Sequence, residues 1–440
     1  MDADPPGPNG LPVLGNTHQY ARDPFTFMTA VGRAYGDIAR FELAGQPTYM
    51  VTGPDEIERV LVSEADSYRK PVFGDDAIED LLGNGLLLSD GDAWRHQRQL
   101  ATQAFDPGRF EDLAAMMADY AEELVEDWDD GEVVDIREEM AEITVKIIVE
   151  AMFGTTIDDE TTTAVQEALE PLGARFEPDA VRFLLPSWIP TSENRSFSAA
   201  IETLETILDE IVAERRESDY ENGDDLLSVL LQAQDRGEQT DGQMRDELVT
   251  MLLAGHDTTA LTLTYTLFLL DRNPEVRSEL YAEFDDIDGR PGFHTARKMD
   301  YTDRVLKEAM RLYPPVYTMF RESTEPVELG GYGLDEEALL MLPQWVVHRS
   351  PRYYDDPEAF DPDRWLPERS ADRPRFAFFP FGGGPRICIG KQFSLLESKI
   401  ILATIASEFE LERVDDGPLE LRPSLTMHPQ NPLEMRLHSR

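Results

Sequence analysis

The sequence predicts a mainly α-helical fold with small β-sheets, an α+β chain forming one domain over 1–440, and three patterns carry that expectation. Apolar residues recur at helical spacing from Pro54 to about Asn273, including a long apolar run between about Gln243 and Leu270. Two β-prone runs, Ile38 to Leu43 and Thr48 to Thr52, flank the turn-like Ala44-Gly45-Gln46-Pro47 and predict an early hairpin in a small sheet. Beyond Pro314 short strands alternate with loops until a glycine-rich loop, after which roughly Gly390 to Phe409 reads as an amphipathic helix. Two stretches interrupt the helical pattern. Both Pro71 to Asp92 and Pro171 to Asn194, the latter with Pro178, Pro186 and Pro190, are expected to be irregular.

Composition bounds the function. The chain has 440 residues, 87 acidic against 40 basic, for a net charge of -47. Such a charge disfavours a polyanionic partner, so nucleic-acid binding is set aside. Hydrophobic residues at 41% and aromatics at 9% argue for a buried core rather than a disordered acidic chain. The acids are dispersed, as in Asp75-Asp76, Asp158-Asp159-Glu160 and Asp285-Asp286, a pattern similar to proteins of halophilic archaea, where molar salt screens the repulsion. The first residues are acidic and proline-rich rather than a basic segment leading into an apolar run, so no signal peptide or membrane anchor is expected. A lone cysteine, Cys388, excludes an internal disulfide and suits a reducing, cytoplasmic location.

That cysteine sits in Phe381-Gly382-Gly383-Gly384-Pro385-Arg386-Ile387-Cys388-Ile389-Gly390, just before a helix start. Glycines let backbone N–H groups curl toward a sulfur, and a helix N-terminus adds positive potential there. The position suits a thiolate metal ligand, while an ordinary buried cysteine is the other reading open to a lone Cys until the flanking pattern is weighed. The pattern Phe381-x-x-Gly384-x-Arg386-x-Cys388-x-Gly390 resembles the haem-binding loop of the cytochrome P-450 family. The resemblance implies that fold, with haem b between the central long helix and the helix after the cysteine loop. It also implies Cys388 as iron ligand, Phe381 packed beside the sulfur and Arg386 reaching a haem propionate.

Other motifs extend the resemblance along the chain. Glu308 and Arg311 share a helix face and look like the family's E-x-x-R pair, with Arg364 of Phe360-Asp361-Pro362-Asp363-Arg364-Trp365 as third member of a buried network. Within Met251 to Ala260, Gly255, Asp257, Thr258 and Thr259 interrupt an apolar helix, where threonine can bond a carbonyl one turn back. By resemblance this is the oxygen-binding groove: Ala254 and Gly255 line the haem face, Thr258 and Asp257 carry the chemistry, and His256 is structural. Trp94 and Arg98, four apart on one face, resemble propionate donors, as does Arg321, with His348 a weaker candidate.

No zinc spacing occurs among the seven histidines, and no G-x-G-x-x-G follows a strand. Electrons are therefore expected from a separate donor such as a ferredoxin and its reductase. The implied reaction is insertion of one oxygen atom from O2 into a hydrophobic substrate, a fatty acid, carotenoid or other isoprenoid. Val72, Phe73, Leu87, Leu88, Leu252, Val316 and Met319 are expected to line its pocket. An isomerase or peroxygenase remains the alternative enzyme, and a haem sensor or electron carrier the alternative class.

Overall fold

The computed structural model describes residues 4–71, 76–178, 191–218 and 220–440. Val72, Phe73, Pro186 and Pro190 lie outside the described residues. The fold is the predicted one, helical with small sheets. Its axis is a 32-residue helix, Asp241–Arg272, started by a capping box in which the Thr240 hydroxyl and the Gln243 side chain satisfy each other's backbone N–H. The polar interruption at Gly255 to Thr259 does not break this helix. Each threonine hydroxyl there bonds a carbonyl four residues back, Thr258 to Ala254 at 2.9 Å and Thr259 to Gly255 at 3.3 Å, so the helical ladder is kept.

Around the axis pack the helices Ile136–Phe153, Asp300–Leu312 and Lys391–Glu408, whose apolar faces share one large core with it. Lys391–Glu408 matches the helix expected after the cysteine loop. A five-stranded sheet stands to one side, ordered Ile38–Leu43, Gln46–Val51, Leu339–Leu342, Met319–Ser323 and Tyr68–Arg69. Only Gln46–Val51 with Leu339–Leu342 runs parallel within it. Near the C-terminus Leu421–Pro423 and Met427–Pro429 form an antiparallel hairpin.

Three local expectations need correction. Leu43 pairs with Gln46, so the first hairpin turns on Ala44 and Gly45 alone, both at positive φ, and Gln46 and Pro47 belong to the strand. Pro71 to Asp92 contains the helix Asp76–Leu82. Pro171 is absorbed inside Asp159–Ala174, one turn from its end, and the helix continues past it without the bond its N–H would have made to the Glu167 carbonyl. Among the described residues no helix is long and apolar enough to cross a membrane.

Candidate functional site

Cys388 N–H donates to the Phe381 carbonyl at 3.0 Å, closing the glycine loop on itself. Gly384 makes this possible: it has φ 65°, and a Cβ there would lie 1.8 Å from the Leu61 carbonyl oxygen. The backbone N–H groups of Gly390 and Lys391 point at the sulfur. Burial pushes the Cys388 thiol up, while those N–H groups, Arg98 and Lys391 pull the other way. Although it lies deep in the molecule, Cys388 is solvent-accessible, so its sulfur fronts an internal space. Phe381 is half-buried against the main core, with the Lys391 ammonium 5.5 Å from its ring centre.

The central helix presents its own open face. Ala254 is exposed and Thr258 partly exposed, four residues apart and hence on one face, while Leu252, His256, Thr259 and Ala260 around them are buried. Gly255 does not share that face. It stands 100° further round the helix, and a Cβ there would come within 2.6 Å of Ile148, so its glycine serves close packing against Ile136–Phe153. His256 is buried and bonds Leu252 O through Nδ1 at 2.8 Å, a structural position. Leu252, expected to line the substrate space, is sealed in the main core at 1% exposure, whereas Leu88, Val316 and Met319 are half-buried and Leu87 is exposed.

A cluster of cations forms the second wall. Arg386 ion-pairs with Asp90, bonds the Ser89 carbonyl at 2.5 Å and lies 4.7 Å from the Trp94 ring centre. Arg321 is buried, donating to Phe320 O at 2.7 Å, and burial with the Arg386 charge lowers it to about 10. Lys70, absent from the sequence expectations, follows the edge strand Tyr68–Arg69. The register Arg69↔Glu322 carries it alongside Arg321. Its ammonium lies deep, depressed first by burial and then by Arg321 and Arg386, and makes no hydrogen bond or ion pair among the described residues. Arg98, also depressed by burial, feels the Cys388 sulfur. Lys70, Arg321 and Arg386 thus gather about one carboxylate, Asp90, in a chain where acids outnumber bases by more than two to one. Such a local surplus suits a dianionic ligand edge.

His348 takes no part in that wall. Its Nε2 accepts the Phe379 N–H at 3.0 Å, and burial with nearby Arg311 lowers it to about 3, so it stays a neutral acceptor. Behind the loop, Glu308 and Arg311 are fully buried and bidentate at 2.9 and 2.8 Å. Arg364 Nε donates to Glu308 Oε1 at 2.8 Å, Trp365 Nε1 donates to Glu308 Oε2 at 2.9 Å, and Arg311 also donates to the His348, Pro357 and Ala359 carbonyls.

A thiol with two N–H donors, an open helix face and a cationic rim meet the chemistry of an iron porphyrin with carboxylate arms. The family model for cytochrome P-450 matches residues 5–435, so the chain belongs to that family of haem-thiolate oxidoreductases and takes haem b through a cysteine thiolate. Among its relatives, "Cyclooctatin synthase" of Streptomyces melanosporofaciens is 34% identical over 427 residues, 96% of this chain and 92% of the relative. "Pentalenene oxygenase" of Streptomyces avermitilis is 31% identical over 98% of this chain and 97% of its own. Among solved structures, a retinoic-acid-bound cyanobacterial CYP120A1 superposes with TM-score 0.88 at 26% identity, covering 100% of both chains.

Proposed function

We propose that the chain is a monooxygenase that inserts one oxygen atom from O2 into an apolar isoprenoid, with Cys388 as the iron ligand. The observation that carries this is the pairing of a loop thiol with an open helix face bearing Thr258, next to Asp257 in the same helix. The haem, when bound, supplies the activation of O2. Everything else is the chain's own work. Gly390 and Lys391 N–H groups hold charge on the sulfur. Trp94, Arg98, Arg321, Arg386 and Lys70 would hold the carboxylate edge, Arg386 by exchanging part of its bond to Asp90. Thr258 carries a proton at Oγ1 on the open face, and Asp257 supplies protons to it. Ala254 leaves the room beside it for O2 and substrate. The half-buried Leu88, Val316 and Met319 offer only apolar contact, which fixes substrate class and not identity.

An isoprenoid substrate is supported by relatives named for cyclooctatin and pentalenene. Electrons come from a separate ferredoxin and reductase, since no nucleotide-binding glycine motif occurs. The whole of 1–440 acts as one domain, in a salt-rich cytoplasm. Screening terpenoid hydrocarbons for a substrate-induced change in the haem spectrum, followed by O2 uptake with an electron donor, tests the reading. Tight apolar ligands that shift the spectrum yet yield no oxygenated product would favour the isomerase alternative.

A further inference from the structure

The Asp257 carboxylate turns to the C-terminal hairpin. Its Oδ2 accepts from Thr426 Oγ1 at 2.5 Å and lies 3.3 Å from His428 Nε2, and Nε2 is 2.8 Å from Thr426 Oγ1. Because a carboxylate only accepts, the single Thr426 proton points to Asp257, so His428 Nε2 must be the N–H that donates into the pair. Nδ1 of the same ring is buried without a partner. Resting on the monooxygenase reading and deepening it, we propose that His428, through Thr426, is a positioning residue for Asp257. Its Nε2–H and the Thr426 hydroxyl fix which way the carboxylate is presented beside Thr258.

The hairpin is a firm anchor for such a clamp. Met427 O accepts from Tyr265 OH at 2.6 Å, Met427 N–H donates to Pro315 O at 2.8 Å, and Ser424 Oγ donates to Gly173 O at 2.5 Å. Central helix, hairpin and the end of Asp159–Ala174 are therefore tied at one place. Burial alone would push Asp257 up, but the His428 charge and hydrogen bond, with His256 and Thr426, outweigh it and hold the carboxyl well below its usual range.

The other charged or titratable groups around the pair are His256 and Tyr265 on the central helix, Arg422 opposite His428 in the hairpin register, and Glu177, which Arg422 reaches at 3.5 Å. Burial keeps His256 neutral and Tyr265 protonated. The His428 Nε2–H and the Thr426 hydroxyl are therefore the donors that hold the Asp257 carboxylate in place.

Two readouts on the haem-loaded protein test this. The first needs no turnover: the His428 Nε2–H is observed by nitrogen-15 NMR in the reduced carbon monoxide complex, in the parent and in Asp257→Asn. Loss of the accepting carboxylate is expected to shift that signal, and an unchanged signal would overturn the proposal. The second is product formed per electron. His428→Phe, which has no donor, is expected to lose coupling severalfold with KM unchanged, while His428→Gln, which keeps an N–H donor, retains it. Equal coupling in the parent and His428→Phe, or an equal loss in both variants, would overturn the proposal. Thr426→Val gives an independent arm, expected to shift the same signal and to lose coupling. The NMR difference is expected whichever reaction the haem performs, so its absence condemns the clamp and a lack of oxygenated product condemns the monooxygenase reading.

Discussion

Cys388 in the glycine loop and Thr258 on the central helix each make a residue-scale prediction. As the sole thiol, Cys388 cannot be replaced by a neighbour. Cys388→Ser should abolish the red-shifted Soret band of the reduced carbon monoxide complex, read by difference spectroscopy. Retention of the band would mean another ligand. Thr258→Ala removes the hydroxyl that residue brings to the open face, and the bond that hydroxyl donates to the Ala254 carbonyl is dispensable to the helix. Haem binding should persist, and product per electron should fall by about 10²-fold or more as electrons escape into hydrogen peroxide. Arg386 is less simple than the motif implied. Its pairing with Asp90 means Asp90→Asn should free the guanidinium rather than harm the site.

At the scale of elements, the Glu308, Arg311 and Arg364 network fastens Asp300–Leu312 to the segment leading into the cysteine loop. Glu308→Gln strands two buried guanidinium groups, a loss of about 3–5 kcal/mol by analogy with broken buried pairs. Urea unfolding should show it, together with weakened haem retention. If stability is unchanged, the network is ornamental. His348, wedged between Phe378 and Phe379, adds a pH signature. Its unfolded imidazole binds a proton near 6.5, and its folded one only at about 3. Its contribution to stability is therefore complete above about pH 6.5 and is lost progressively as pH falls toward 3. A thermal midpoint independent of pH across that window would contradict this burial.

The helical spacing that exposed Ala254 and Thr258 together was readable in the sequence, since residues four apart share a face. The orientation of Gly255 was not, because a glycine carries no side chain to announce which neighbour needs the space. The cysteine loop, the E-x-x-R pair and both long helices were legible for a different reason: their chemistry requires fixed local spacing. Lys70, Asp90, Thr426 and His428 were not legible. They reach the site through strand pairing and a hairpin placed by tertiary contacts, and a single lysine after Tyr68-Arg69 looks like any surface cation until the register sets it beside Arg321. Lysine scarcity was the one available signal, with only six in the chain. Likewise Pro171 reads as a helix breaker by propensity, yet Asp159–Ala174 continues a turn beyond it at the loss of one bond, to the Glu167 carbonyl.

The whole molecule carries its own consequence of charge. With a net charge of -47, repulsion among dispersed carboxylates is screened within about 3 Å in molar salt and reaches about 10 Å at 0.1 M. The thermal midpoint should fall on dilution of salt, and a constant midpoint would count against the salt adaptation. The purified chain with a nicotinamide donor alone should turn over negligibly until a ferredoxin and its reductase are added. The most direct test of the central claim uses isotopically labelled dioxygen with a terpenoid hydrocarbon substrate found by spectral screening, the chain, and that electron supply. One labelled oxygen atom per product molecule, with the other in water, is the result the thiolate loop and the Thr258 face predict. A product formed without label, or without O2 consumption, would contradict it.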